Sequence, residues 1–103
     1  MTVAALQMTS GTDAGTNVAT ARRLLAEAAS SGARVAVLPE NFALMARDSA
    51  ERRAIAETHG DGPIQAAMSA AARELGLWVI AGTLPLRLPG EPRFAQALLV
   101  YDD

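Results

Sequence analysis

Short apolar runs alternate along this chain with longer stretches whose apolar residues recur every three or four positions, and few folds accommodate that alternation. Val3–Met8 (VAALQM) is the first such run, ending in the turn-forming Thr9-Ser10-Gly11-Thr12-Asp13, and it predicts a buried strand. From Asn17 the period changes: Val18, Ala21, Leu25 and Ala28 make an apolar stripe, with Arg22, Arg23 and Glu27 opposite. That pattern predicts an amphipathic helix, capped at its start by Thr16 or Asn17 and stopped by Gly32.

The β-branched run Arg34–Leu38 (RVAVL) predicts a second strand, ended by Pro39, which has no N–H to give a sheet ladder. Asp48 or Ser49 then opens a short polar helix ending near His59-Gly60, with Glu51 in a loose capping box. Pro63 suits the first turn of a further helix, whose stripe is Ile64, Ala67, Met68, Ala71 and Leu75 and whose stop is Gly76. Leu77–Thr83 (LWVIAGT) is the strongest strand signal. Leu84–Pro92, with three prolines and a glycine, predicts an irregular connection, and Phe94–Tyr101 a last strand. The predicted order is β-α-β-α-α-β-β, an α/β chain forming one unit over residues 1–103. Met8, Met45 and Met68 fall on apolar positions and are expected as core fillers. The apolar runs outnumber what three short helices cover, and the sequence stops at Asp102-Asp103 just after a strand. Missing strands or a partner surface are therefore expected.

Composition excludes several chemistries. The nine basic residues are all arginines, and against eleven acids they leave a net charge of −2. So even a balance does not point to nucleic acid or an anionic membrane surface. There is no cysteine, hence no disulfide, thiolate metal site or cysteine nucleophile within these residues, and the single His59 rules out a histidine-rich metal site. No basic-then-apolar leader opens the sequence and no apolar run approaches a membrane span, so a cytoplasmic domain is expected. The glycine spacing matches neither a dinucleotide fingerprint nor a P-loop.

Among the acids, Glu40 stands apart by position. An ordinary glutamate is a solvated carboxylate or an ion-pair partner. Glu40 follows a buried strand and Pro39 and precedes Asn41 and Phe42, where the sheet holds the backbone rigidly. Apolar walls there would desolvate the carboxylate and raise its pKa toward the range useful for proton transfer. Phe42 reads equally as core or as pocket wall, and Asn41 as a local hydrogen-bonding residue that shapes the loop.

These segments, in this order, resemble the nitrilase superfamily of carbon–nitrogen hydrolases: VAALQM, the helix from Asn17, GARVAVLPENF, GDGP and LGLWVIAGTLPL. The run LPENFALM, with GDGPIQ and GLWVIAGTLPL, is most similar to the branch of deaminated glutathione amidases and related omega-amidases. The resemblance implies the N-terminal part of a four-layer α-β-β-α sandwich, so residues 1–103 are expected to be an incomplete domain. It also implies a Glu-Lys-Cys mechanism acting on a small carboxamide, with no cofactor and no metal, in a homodimer or larger homo-oligomer. Cysteine would attack the amide carbon, glutamate would shuttle the proton, and lysine would stabilise the oxyanion. Only the glutamate has a counterpart here, Glu40. Phe42 and Asn41 are the implied substrate contacts. The rival expectation is a catalytically inactive chain that serves binding or assembly.

Overall fold

The computed structural model describes residues 1–103. Eight elements follow one another: β1 (Thr2–Ala5), α1 (Ala14–Ser30), β2 (Ala33–Leu38), α2 (Ser49–Ile55), β3 (Glu57–Thr58), α3 (Pro63–Leu75), β4 (Trp78–Arg87) and β5 (Phe94–Tyr101). The α/β class and the order of the larger elements are those expected. Parallel β1, β2 and β4 lie side by side, joined by helical crossovers, and β5 pairs antiparallel with β4. Alternation of apolar runs with helical stripes leads to this arrangement because parallel neighbours need a long return segment.

The helix ends depart from expectation in instructive ways. α1 starts earlier, at Ala14, because Asp13 is its cap: the Asp13 carboxylate accepts the Thr16 N–H at 3.0 Å. The Thr16 hydroxyl and amide together hold the Asp13 carboxyl below its ordinary 3.8. Asn17, freed from capping, is buried within the helix face formed with Ala21, Leu25 and Ala28. α2 stops at Ile55 rather than near His59, since Glu57 and Thr58 turn extended and pair with Leu86 and Arg87 of β4. Glu57 is buried, and its carboxylate accepts the Ile64 N–H at 2.6 Å and the Gln65 N–H at 3.1 Å. It thus supplies the N-terminal cap that Gly62 lacks. A Cβ at residue 62 would collide with the Glu57 side chain, so glycine is required where the chain passes that carboxylate.

β4 is longer than its sequence promised. Pro85 argues against a central strand, but β2 pairs only with Trp78–Ala81 and β3 only with Leu86–Arg87. Between them, along Gly82–Pro85, no strand occupies that side of β4, and β5 alone continues the ladder.

α1 and α3 pack together on one face of the sheet, over Ala36, Leu38, Leu77, Val79, Ala81 and Leu84. Met68 is buried there and Met8 packs against it. Met45 is instead exposed, correcting its assignment to the core. The other sheet face has no helix over it. Val3, Trp78, Leu98 and Val100 stand 58%, 48%, 57% and 54% exposed, and the register brings Val35 beside both Val3 and Trp78. A sheet whose strands are apolar on both faces but covered on one presents a surface that ordinarily packs against another layer.

Candidate active site

β2 ends at Leu38, and Pro39 carries the chain off the sheet at the level where β4 loses its neighbour. The loop that follows is anchored by burial and by hydrogen bonds. Phe42, Ala43 and Leu44 are buried, with the Phe42 ring sealed from solvent as one of the largest core side chains. The Ser10 hydroxyl donates to the Phe42 carbonyl at 2.7 Å. From α1, the Asn17 amide nitrogen donates to the Ala43 and Gly11 carbonyls at 2.9 Å each. Its oxygen accepts the Gly11 N–H, also at 2.9 Å. The loops after β1 and β2 are thereby tied to one side chain.

Asn41 occupies the left-handed region at φ 56°, which asparagine tolerates better than most residues. Its N–H donates to the Thr83 hydroxyl of β4 at 3.3 Å, and its side-chain oxygen accepts from Gln96 of β5 at 3.3 Å. Along β5 the side chains alternate: Gln96, Leu98 and Val100 are exposed, whereas Ala95, Ala97 and Leu99 lie on the half-buried side. The Asn41–Gln96 contact therefore borders the uncovered sheet face.

Glu40 sits at the tip of this anchored turn. It is exposed, and its carboxylate is engaged in no hydrogen bond or ion pair. None of the five surface cavities is lined by it. The apolar walls expected to desolvate it are not supplied by these residues: Phe42 is turned into the core beneath the loop. The structure brings Glu40 and Asn41 together at the surface with Thr83 and Gln96. Sequence reasoning missed both of the latter. Gln96, the one polar residue in an apolar strand, and Thr83, after the glycine of a strand, were the available signals. No group of three or more His, Cys, Asp or Glu side chains gathers as a metal-binding set. No helix is long and apolar enough to cross a membrane.

A rigid turn presenting an unpaired carboxylate at a strand end is suited to accepting and returning a proton, provided another surface encloses it. Known proteins resemble the chain over most of its length. Residues 2–103 match the carbon-nitrogen hydrolase family. The chain is similar to the deaminated glutathione amidase of Yersinia enterocolitica, 36% identical over 84 residues, covering 82% of this chain and 29% of the relative. It is also similar to that of Homo sapiens, 42% identical over 80 residues, covering 78% of this chain and 24% of the relative. Against these relatives the chain spans less than a third of their length. Among solved structures it superimposes on the C. elegans NitFhit protein with a TM-score of 0.84 at 23% identity, over 97% of this chain and 24% of that one. An amidase from Nesterenkonia sp. gives 0.78 at 20% identity, over 97% of this chain and 37% of the other. At these identities the structural matches speak for the fold alone. The match over residues 2–103 speaks for kinship: the chain belongs to the carbon–nitrogen hydrolase family.

Proposed function

We propose that this chain contributes the general base of an amidase-type carbon–nitrogen hydrolase, and that Glu40 is that base. The observation that carries the reading is the state of Glu40 in a member of this family: unpaired, outward-facing, and mounted on a turn whose backbone is pinned from β4 and α1, with the Asn41 side chain bonded to Gln96 of β5. In the complete protein a cysteine and a lysine outside these 103 residues would complete the site. Glu40 accepts the thiol proton as sulfur attacks the amide carbon, and returns it to the departing ammonia. It then draws a proton from the water that cleaves the thioester, while lysine stabilises the oxyanion. The second enclosing layer would also supply the low-polarity walls that Glu40 lacks here. Asn41 lies at the rim of such a cleft. Phe42 acts from beneath, holding the turn, more readily than as a direct substrate contact. The substrate class is a small carboxamide, in keeping with the names of the relatives; a cytoplasmic, homodimeric or larger assembly completes the proposal.

In the full-length protein, Glu40→Gln should lower the rate of ammonia release about 100- to 10,000-fold, the contribution of a positioned base. Near-normal turnover would overturn the assignment. A second reading draws on the absence of cysteine and lysine together with the open apolar sheet face. On that reading the 103-residue chain, unable to turn over an amide alone, serves assembly. Monomeric, well-folded behaviour of the isolated chain would count against it.

A further inference from the structure

β4 breaks register with β5 at the level of the Glu40 turn. Ala81 pairs with Leu99 and Leu84 with Ala97, so Gly82 and Thr83 together oppose the single residue Leu98. Two residues against one make a β-bulge, a device that re-aims a side chain while the ladder resumes beyond it. The extra residue keeps Leu84 on the covered face with Val79 and Ala81, where all three are buried. It also takes Thr83 out of the strict alternation. The bulge requires glycine at residue 82: a Cβ there would lie 3.1 Å from Leu98 Cδ1 and 3.2 Å from its Cγ. β2 makes its last pair, Leu38 with Ala81, one residue before the bulge. Thr83 therefore stands beside the chain that β2 sends off the sheet, and its hydroxyl accepts the Asn41 N–H at 3.3 Å.

That N–H belongs to the peptide joining Glu40 to Asn41, so the Thr83 hydroxyl fixes the peptide plane on one side of the Glu40 Cα. Pro39, whose ring confines its φ, restricts the chain on the other side. Asn41 is held a second time: its side-chain oxygen accepts from Gln96 at 3.3 Å, which steadies the left-handed backbone at φ 56°. The direction of a Cα–Cβ bond is set by its two flanking peptides, and Glu40 has no ion-pair partner to orient it otherwise. A displacement of about 1 Å at a reacting group can cost on the order of 100-fold in rate. We propose that Thr83 and Gln96 are positioning residues of the Glu40 base, acting through Asn41, and that the Gly82–Thr83 bulge is what brings the Thr83 hydroxyl to the turn. The proposal rests on the reading of Glu40 as the base, and it adds one residue each from β4 and β5 to the control of proton transfer.

The test is steady-state ammonia release by the full-length protein, with thermal unfolding of each variant followed in parallel. Thr83→Val keeps the shape of the side chain and removes the acceptor; it should lower kcat about 10- to 100-fold with KM changed less than about twofold. Thr83→Ser returns the hydroxyl and should regain most of that loss. Gln96→Ala should lower kcat roughly three- to tenfold at an unchanged unfolding midpoint. Gln96 is exposed, so this variant decides the matter even where Thr83→Val disturbs the bulge. In a Glu40→Gln background, neither substitution should alter the residual rate by more than about twofold, because the clamp then has no base to aim. Unchanged kcat in Gln96→Ala or in folded Thr83→Val, losses confined to KM or matched by a falling folded fraction in Gln96→Ala, Thr83→Ser as slow as Thr83→Val, or losses that multiply in full in the Glu40→Gln background would each overturn the proposal. Failure of the base assignment is visible separately, as near-normal turnover by Glu40→Gln alone.

Discussion

Replacing Asn17 with alanine isolates the physical link between α1 and the Glu40 turn. The side chain is buried and makes three hydrogen bonds, two to Gly11 and one to the Ala43 carbonyl. The Gly11 carbonyl keeps the Met45 N–H at 3.0 Å, and the contacts of Asn17 with Gly11 are only partly buried, so water can replace them. Those two bonds are worth roughly 0.5–1 kcal/mol each. Ala43 is buried, and its carbonyl would be left without its Asn17 partner at a cost of about 1–3 kcal/mol. The sum is about 2–5 kcal/mol. Urea unfolding followed by far-ultraviolet circular dichroism should show the midpoint falling with little change in slope. Asn17→Asp should be worse than Asn17→Ala at neutral pH, because a carboxylate would face two carbonyl oxygens, and should recover partly when acid protonates it. A loss below about 0.5 kcal/mol for Asn17→Ala would refute the claim that this side chain ties the loops.

Two further outcomes follow from the same geometry. Phe42→Ala empties a sealed core position and should cost about 3–5 kcal/mol in urea unfolding, far more than an exposed pocket wall would. Asp13 has its carboxyl held below 3.8 by Thr16, so its contribution is present above pH 3.8 and is lost as pH falls through the lower folded-state value. Thermal unfolding of Asp13→Asn across that acid range should show a shallower fall in Tm than the unaltered chain; an identical slope would contradict the cap.

The contrast between what the sequence announced and what it concealed has a physical basis. β2, α3 and β5 were plain because periodicity and their bounding prolines and glycines report on local backbone preference. Asn17 misled because asparagine is favoured at caps, whereas here a buried stripe places it against two loops. Pro85 misled for a related reason: it breaks a ladder only where a neighbour needs its N–H, and between β2 and β3 none does. β3 is two residues long and exists only by pairing with β4, so no local pattern marks it. At the site, Glu40 was legible from its strand exit, but its surroundings were not. Thr83 and Gln96 meet Asn41 across 42 and 55 residues of chain, contacts that only the folded sheet creates. Phe42 was ambiguous between core and pocket until its burial became visible.

Turnover and folding of Glu40→Gln, measured on the same preparation of the full-length protein, test the central claim most directly. Within these residues Glu40 is exposed and unpaired, so on the proposed reading the substitution would remove the proton carrier without disturbing the packing beneath the turn. The account predicts an unfolding midpoint unchanged within error and a kcat for ammonia release about 100- to 10,000-fold lower. Retained turnover, or a loss matched by a falling fraction of folded protein, would contradict it.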